Sequence, residues 1–206
     1  MTAISIFDDF SSNFPVNVLP HDGEAMLYAN SFNELESKQL MNGLLKNINW
    51  RQDNIKLFGR MVAQPRLTAW YGDLNKPYTY SGLTMQPKVW TEELLFIKSK
   101  IEPVAGVRYT SVLLNLYRNG QDSMGWHSDN EPELGRNPVI SSVSFGAERM
   151  FKFKHLRDKS LNKSVLLTNG SHLLMKGETQ HYWAHAIPKT KKPMQPRINL
   201  TFRVIS

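Results

Sequence analysis

A histidine and an aspartate two residues apart, His127 and Asp129, form the first pair in this sequence whose spacing could do chemistry. On an extended segment, residues two apart point the same way, so the imidazole and the carboxylate would share one face. One more histidine would complete a two-histidine, one-carboxylate triad, which leaves positions of an octahedral iron open for substrate and oxygen. The alternative interpretation is a hydrogen-bonded histidine in a surface loop, because His-x-Asp also arises by chance.

Four later histidines are candidates for the third ligand: His155, His172, His181 and His185. His181 and His185 lie four residues apart, so both can face inward if their segment is extended. Periodicity therefore does not choose between them. The alternative for this segment is aromatic core packing around a histidine whose hydrogen bonds are satisfied.

The C-terminal segment alternates apolar and polar residues without a fault over residues 197–204. One face carries four polar side chains: Arg197, Asn199, Thr201 and Arg203. Polar residues facing water are the commoner meaning of such alternation. Two guanidinium groups with an amide between them could instead bind a small dicarboxylate in a bidentate way. Asn115 and Tyr117 form a similar polar pair in an otherwise apolar strand, and such a pair needs partners if it is buried.

These side chains together describe a metal site beside an anion site, each built from strand residues of one inward face. An oxygenase that uses iron(II) and a keto-acid co-substrate requires this combination. The metal needs the two-histidine, one-carboxylate face, and the co-substrate needs a cation at its far carboxylate.

The elements that must position these residues are two helices followed by strands. A capping-box pattern from Ser31 to Glu34 and helical apolar spacing predict a helix over 31–49. A second helix is predicted to begin at Thr91 and to stop at Pro103. Several short strands predict a sandwich or barrel in one α+β domain. They are predicted over 110–117, 139–145, 150–153, 164–168, 172–175 and 197–205.

Composition narrows the class of protein. The 206 residues contain no cysteine, which excludes a disulfide-stapled fold, a zinc ribbon, a cysteine-ligated iron–sulfur cluster and a thiol nucleophile. The formal net charge of +7 makes a polyanionic partner plausible. No signal peptide and no membrane-spanning run of apolar residues is expected.

Short strings in a fixed order carry a family resemblance over residues 54–204. They are Pro65-Arg66, Tyr71-Gly72-Asp73, residues 78–83, Asn115-Leu116-Tyr117, His127-Ser128-Asp129, residues 142–147 and residues 197–203. The sequence thus resembles the AlkB family of iron(II)- and 2-oxoglutarate-dependent dioxygenases, and within it the branch that repairs alkylated bases in double-stranded DNA. The resemblance implies a double-stranded β-helix, or jelly roll, with N-terminal helices and a substrate-binding hairpin and lid.

The resemblance also implies which residues hold the cofactors, which are Fe(II), 2-oxoglutarate and O₂. His127, Asp129 and His185 are the implied iron ligands, and His185 is chosen because residues 183–188 match the family's aromatic–His–x–x–Pro string. The implied 2-oxoglutarate residues are Asn115, Tyr117, Arg197, Asn199 and Arg203. Arg197 is expected to pair with the distal carboxylate, with Arg203 and Asn115 nearer the keto-acid end.

The reaction implied is direct reversal of N1-methyladenine and N3-methylcytosine damage in DNA, which yields formaldehyde, succinate and CO₂. The damaged base must leave the stack to reach a buried metal. Phe58, at the tip of a hairpin over 54–61, matches the finger that wedges into the gap left by the flipped base. Tyr78, Tyr80 and Ser81 match the lid over the base pocket.

Further substrate residues follow from the same resemblance. Glu131 matches an acidic position that contacts the exocyclic amine of the base, and Arg66 matches a basic position near the same pocket. Lys191 and Lys192 match a loop that grips the opposite DNA strand. Thr190 departs from the family pattern, since a basic residue is expected there.

The implied organisation is an N-terminal extension over 1–30 and one dioxygenase domain over 31–206. That domain comprises helices and lid over 31–109 and a jelly-roll core over 110–206. The expected partner is alkylated duplex DNA, with no membrane, a monomeric state and an intracellular location, in the cytoplasm or nucleoid of a bacterium or the nucleus of a eukaryote. Two alternatives are a demethylase acting on single-stranded DNA or RNA, and a non-catalytic nucleic-acid-binding module.

Overall fold

The computed structural model describes residues 15–57, 59–74, 78–80, 83–85 and 87–205, without the side chains of 55–57, 78–80 and 83–85. The helices are α1 (Glu34–Asn47), α2 (Glu92–Ala105) and α3 (Thr179–Tyr182). The strands are β1 (Val16–Asn17), β2 (Glu24–Tyr28), β3 (Asn54–Leu57), β4 (Arg60–Ala63), β5 (Leu67–Gly72), β6 (Tyr78–Tyr80), β7 (Leu83–Met85), β8 (Ser111–Tyr117), β9 (Met124–His127), β10 (Ile140–Gly146), β11 (Arg149–His155), β12 (Asn162–Leu167), β13 (His172–Lys176), β14 (Trp183–Ile187) and β15 (Arg197–Arg203).

Two antiparallel sheets form the core. The larger has seven strands in the order β1-β2-β13-β10-β15-β8-β5, and the smaller has four in the order β12-β11-β14-β9. Apart from the consecutive pairs β1–β2 and β11–β12, neighbouring strands are distant in sequence, as in a jelly roll. Strand β2, from the predicted N-terminal extension, pairs with β13. The hairpins β3–β4 and β6–β7 stand apart from these sheets.

The larger sheet has an apolar layer on each face. On one face, Leu40 and Leu44 of α1 and Ile97 of α2 join a core cluster with apolar residues of β8, β10 and β15. On the other face, the larger sheet packs against the smaller one through a second cluster that includes Phe153 and Trp183. Because β15 lies between helices and the smaller sheet, its polar alternate face is enclosed between the two sheets.

Helix α1 begins three residues later than the sequence predicts. Asn33 accepts a hydrogen bond on its side chain from the Glu36 backbone, and Glu36 accepts one from the Asn33 backbone, both at 2.9 Å. This reciprocal pair is the capping box, and it replaces the pair expected between Ser31 and Glu34. Asn33 is the N-cap residue instead of Ser31, because Glu36 stands at the third helical position and completes the reciprocal pair.

Helix α2 runs through Pro103, which the sequence predicts to be its end. Pro103 lies in the last turn, where the missing backbone N–H removes a single intrahelical hydrogen bond. The helix ends instead at Gly106, whose φ of 72° is left-handed and whose N–H donates to the Glu102 carbonyl at 2.9 Å. A glycine in this conformation is a common helix terminator.

The predicted strands of the C-terminal half correspond to β8, β10, β11, β12, β13 and β15. The sequence does not predict strands β9 and β14, because they are short and do not alternate. These two strands nevertheless carry two of the predicted metal ligands, His127 and His185. Within the described ranges, no helix is long and apolar enough to cross a membrane.

Candidate metal centre and anion pocket

His127, Asp129 and His185 converge between the sheets, with one ligand atom from each inside a 4.8 Å cluster. Strands β9 and β14 pair with His127 opposite His185, which brings the two rings to a centroid distance of 4.3 Å. Asp129 follows β9, and its carboxylate lies 3.6 Å from His185 Nε2 and 3.9 Å from His127 Nε2. Register across two strands therefore builds the triad that the sequence predicts.

The register of β9 and β14 also separates His185 from the other candidate histidines. His181 lies in helix α3, where it hydrogen-bonds Asn137 at 2.9 Å instead of facing the cluster. His155 and His172 are held in other parts of the two sheets. The assumption that both His181 and His185 can face inward fails because the segment changes from helix to strand at Trp183.

Electrostatics suits the cluster to a metal with nitrogen and oxygen ligands. Burial raises the pKa of the Asp129 carboxyl, but nearby positive charge, chiefly that of the Arg203 guanidinium, outweighs burial and holds that pKa well below its usual range. Burial lowers the pKa of His185 to about 3, which keeps its imidazole neutral. His127 donates from Nδ1 to the Gly125 carbonyl at 2.9 Å, so its Nε2 carries the free lone pair. A carboxylate and neutral imidazoles are ligands that Fe(II) accepts.

Two hydrogen bonds fix the orientation of Asp129. Arg203 donates from Nη2 to Asp129 Oδ1 at 2.7 Å, and the backbone N–H of Asp129 donates to the side chain of Gln180 at 2.9 Å. Gln180 was missed by sequence reasoning, because it lies on α3 and carries no motif. The role of Arg203 as a partner of the carboxylate was also missed, because strand alternation says nothing about what faces it.

The cavity beside the triad is lined by charged and polar side chains of β8, β10 and β15, together with apolar residues such as Leu113, Phe151 and Met175. Its walls include all three triad residues and all five residues predicted to bind 2-oxoglutarate, which are Asn115, Tyr117, Arg197, Asn199 and Arg203. The alternation of β15 thus points its polar face into a pocket and not into water. The hypothesis of an anion site beside the metal site fits this arrangement.

Arg197 is the cation in this cavity best placed to receive an anion. It is fully buried, and Nη2 donates to Ser144 Oγ at 2.9 Å, while Nε and Nη1 have no hydrogen-bond partner among the described residues. Burial lowers its pKa to about 10, which still leaves the guanidinium charged at neutral pH. A buried cation with two unused donors fits a carboxylate ligand.

Serines of β10 support these donors. Asn199 donates to Ser142 Oγ at 2.8 Å, as Arg197 does to Ser144, because β10 and β15 are paired in register. Both serines lie in the string over 142–147, and their period of two in a buried strand is the signal that could have predicted this supporting role.

Comparison with known proteins identifies the family to which this chain belongs. The model of the 2OG-Fe(II) oxygenase superfamily matches residues 24–203. The chain is 38% identical over 188 residues to the human DNA oxidative demethylase ALKBH2, covering 86% of this chain and 72% of that protein. It belongs to the AlkB family of 2OG-Fe(II) oxygenases. Membership confirms the resemblance read from the sequence and implies Fe(II), 2-oxoglutarate and O₂ as cofactors.

Other AlkB relatives show the same family and the extent of the match. The chain is 43% identical over 179 residues to bovine alpha-ketoglutarate-dependent dioxygenase alkB homolog 3, covering 82% of this chain and 62% of that protein. It therefore spans somewhat less than two thirds of that relative. The solved structure of OsALKBH1 has a TM-score of 0.58 at 16% identity and covers 87% of this chain and 97% of the other, which confirms the predicted jelly-roll fold.

Arg66 lies behind the AlkB-type cavity and not among its lining residues. It is buried, and it donates from Nε to Asn115 Oδ1 at 2.7 Å and from Nη1 to the Ser123 carbonyl at 3.3 Å. The residue predicted to lie near the base pocket thus contacts a residue of the predicted 2-oxoglutarate pocket.

The other predicted substrate residues are not among the lining residues of the cavity or lie outside the described part. Glu131 precedes a short 3-10 helix, Pro132–Leu134, and its Oε2 is buried with no hydrogen-bond partner among the described residues. Phe58 and Ser81 lie outside the described residues. Tyr78 and Tyr80 form β6, but their side chains are not described.

The basic loop between β14 and β15 is attached to the loop that follows β8. Thr190 donates from its backbone to the Gly120 carbonyl at 2.8 Å, and Gln121 donates to the Thr190 carbonyl at 3.0 Å. A Cβ at Gly120 would meet that carbonyl at 2.6 Å, so this close approach requires glycine. Lys191 and Lys192 are exposed on this loop.

A second cluster of ligand-type residues, His21, Asp22 and His155, does not have the chemistry of a metal site. The backbone N–H of Asp158 donates to His155 Nδ1 at 2.9 Å. The neutral ring then carries its proton on Nε2, which points at Asp22 Oδ2 over 3.3 Å. The nitrogen that would have to bind the metal is protonated.

Proposed function

We propose that this chain is an iron(II)- and 2-oxoglutarate-dependent DNA demethylase that removes methyl groups from N1-methyladenine and N3-methylcytosine. The observation that carries the proposal is the joint placement of the His127–Asp129–His185 cluster and the buried Arg197 guanidinium on one cavity. The alkylation-repair relative ALKBH2 is named a DNA oxidative demethylase, which supports DNA as the substrate.

In this proposal, His127 and His185 hold iron through Nε2, and Asp129 holds it through its carboxylate. Arg203 keeps the carboxylate oriented and ionised, because its guanidinium donates to Oδ1 at 2.7 Å. When bound, iron with 2-oxoglutarate and O₂ supplies the oxidising chemistry that hydroxylates the N-methyl group, after which formaldehyde is lost and succinate and CO₂ remain.

The co-substrate is held by the polar face of β15 together with β8. Arg197 offers Nε and Nη1 to the distal carboxylate, since both donors lack partners among the described residues. Arg203 and Asn115 lie nearer the keto-acid end, which agrees with the bond from Arg203 to a metal ligand. Tyr117 and Asn199 complete the walls of this pocket. Burial strengthens these charge-assisted contacts by excluding water.

The base is recognised at the mouth by Glu131, with Tyr78, Tyr80 and Ser81 as the proposed lid. The buried Oε2 of Glu131 is an acceptor that lacks a partner in the described structure. An exocyclic amine, present on adenine and cytosine, is a donor that satisfies it, whereas the keto groups of guanine and thymine are not. This matching supports N1-methyladenine and N3-methylcytosine as substrates.

Duplex DNA is the proposed form of the substrate. The hairpin β3–β4, whose tip carries Phe58, stands apart from the main sheets, and Met61 and Val62 on it are 67% and 45% exposed. An exposed apolar hairpin suits insertion into a base stack. Lys191 and Lys192 would contact the phosphates of the opposite strand. An intracellular location, in the nucleoid or nucleus according to the source, and a monomeric state complete the proposal.

Incubation of the protein with Fe(II), 2-oxoglutarate and a duplex bearing one N1-methyladenine tests this proposal. We expect loss of one methyl group by mass spectrometry with stoichiometric formaldehyde, and no product from Asp129→Ala. Phe58→Ala should lower turnover on the duplex more than on the same single strand. Absence of turnover on duplex, single-stranded DNA and RNA alike would overturn the enzymatic proposal. Unchanged turnover of the duplex by Phe58→Ala would favour the alternative of a demethylase that acts mainly on single-stranded DNA or RNA.

A further inference from the structure

The outer face of the four-stranded sheet is basic and carries an exposed aromatic ring. Strands β9, β11, β12 and β14 contain no aspartate or glutamate. On β11, Phe151 and Phe153 are buried in the core, so the alternate residues Lys152 and Lys154 point outward. On β9, the indole of Trp126 is 45% exposed, although tryptophan is usually well buried.

Strand β14 lies between β11 and β9, and its small side chains allow Lys154 of β11 to approach the ring of Trp126 on β9. Lys152 is opposite Ala186 and Lys154 is opposite Ala184, and β14 separates β11 from β9. Because both residues of β14 at this face are alanines, the Lys154 side chain reaches across them. Its Nζ lies 4.7 Å from the centroid of the Trp126 ring.

Trp126 lies beside the mouth of the metal centre. It precedes His127, and strand alternation places the two side chains on opposite faces of β9, which is the edge strand of its sheet. The side chain of His127 is 26% exposed, against 2% for Asp129 and 4% for His185. The centre therefore meets solvent on the side of this edge.

We propose that this outer face, at Trp126, Lys152 and Lys154, is a second nucleic-acid site, which binds an unpaired stretch next to the duplex that enters the cavity. An exposed aromatic ring stacks on a base, and ammonium groups next to it neutralise the adjoining phosphates, which is how sequence-independent single-strand sites are built. The complete lack of acidic residues on the four strands gives the charge complementarity. The inference rests on the proposed function and extends it, because it adds a contact to unpaired nucleotides outside the catalytic cavity.

The charge extends beyond the end of β11. Arg157 lies with its guanidinium carbon 4.8 Å from the centroid of the Tyr182 ring, and Lys159 follows on the connection to β12. A strand that stacks on Trp126 can continue over this segment. The footprint then exceeds the few nucleotides that the cavity itself contacts.

Binding of an unmodified oligothymidylate of about 15 nucleotides to the full chain, without 2-oxoglutarate, tests this inference by fluorescence anisotropy. We expect Trp126→Ala to weaken binding about tenfold, the loss of one stacked base, and Trp126→Phe to restore most of it. Lys154→Gln should weaken binding several-fold and reduce the slope of log affinity against log salt by about one. An oligouridylate of the same length should respond in the same way, since neither stacking nor charge distinguishes the sugars.

Lys98→Gln is the matched control. Lys98 Nζ also lies 4.7 Å from a tryptophan centroid, that of Trp90, but on α2, where Glu102 is 3.7 Å away. We expect this variant to bind like wild type. If Trp126→Ala and Lys154→Gln also bind like wild type, with melting temperatures unchanged, the inference is overturned. Equal losses on a blunt duplex would assign the face to duplex DNA and overturn the single-strand assignment.

The two proposals fail in different ways. If wild type binds the oligonucleotide through Trp126 but releases no formaldehyde from methylated substrates, the binding face stands and the demethylase proposal fails. If wild type demethylates and the Trp126 and Lys154 variants keep full affinity, the demethylase proposal stands and the binding face fails.

Discussion

The Nε of Arg66 donates a hydrogen bond to the side-chain oxygen of Asn115 over 2.7 Å, and both residues are buried. Because this oxygen is engaged from behind, the amide nitrogen is the group that Asn115 can offer to the cavity it lines. The arginine therefore positions a donor toward the co-substrate, and it need not touch the base at all.

This relationship predicts that Arg66 and Asn115 act as a unit. Arg66→Gln and Asn115→Ala should each raise the KM for 2-oxoglutarate by about tenfold, the worth of a hydrogen bond to a charged group. The double variant should be little worse than either single one. Steady-state kinetics on the four proteins measures the coupling. Additive effects, or a change confined to the KM for DNA, would instead return Arg66 to the base pocket.

The choice of metal ligand predicts different behaviour for two histidines four residues apart. Mn(II) at about a hundredfold excess over its Kd should stabilise the wild-type protein by about 2.7 kcal/mol, a rise in melting temperature of roughly 5–10 °C. His185→Ala should abolish this rise, whereas His181→Ala should keep it, because His181 only hydrogen-bonds Asn137. Thermal unfolding with and without Mn(II) and a chelator makes the comparison. Loss of the rise in the His181 variant would show that the wrong histidine has been assigned.

We expect the replacement of Arg197 to stabilise the ligand-free protein and to abolish 2-oxoglutarate binding. Its buried guanidinium has two donors without partners in the described structure, and burial lowers its pKa to about 10. Arg197→Met removes a buried charge that has no anionic partner among the described residues, and it should raise the free energy of unfolding of the ligand-free protein by about 1 kcal/mol. It should also abolish measurable 2-oxoglutarate binding. Denaturant unfolding and calorimetric titration test both parts, with Ser144→Ala as the milder control.

The burial of His172 predicts that the free energy of unfolding falls in acid. Burial lowers its pKa to about 4, against about 6.5 in an unfolded chain. The unfolded state thus binds the proton more readily, so stability from this group is complete above pH 6.5 and falls as pH drops toward 4, by on the order of 3 kcal/mol. His172→Gln, which can keep the bond to Ser141, should flatten this part of the profile. An unchanged slope between pH 7 and 4 would contradict the burial argument.

Alternation along single strands was the part of this molecule most open to prediction. The period of two in 197–204 placed Arg197 and Arg203 on the same face, and that face lines the cavity. Whether that face meets water or a pocket depends on what packs against each face of β15, and the sequence of the strand alone does not specify this. The family resemblance predicted a pocket, because the motifs on which it rests imply a jelly-roll fold.

Features that depend on contacts between distant segments were not predictable from local patterns. His181 and His185 were equivalent by spacing until the helix-to-strand change at Trp183 separated them. Arg66 matched a pocket position by sequence, but its reach to Asn115 depends on the pairing of β5 and β8. Helix ends were misplaced at Ser31 and Pro103, because a better cap and a left-handed glycine each lay a few residues further on.

Thr190, which stands where the AlkB pattern has a basic residue, is attached to Gly120 and Gln121 through its backbone, and its hydroxyl accepts a hydrogen bond from the Lys192 N–H at 3.2 Å. The loop that carries Lys191 and Lys192 is therefore already ordered before any DNA arrives. The entropy cost of fixing these lysines is incurred during folding and does not have to be met again at binding. Under the proposed function, such a loop would hold phosphates at set distances with fewer charges, whereas a mobile and more highly charged loop would attract any polyanion.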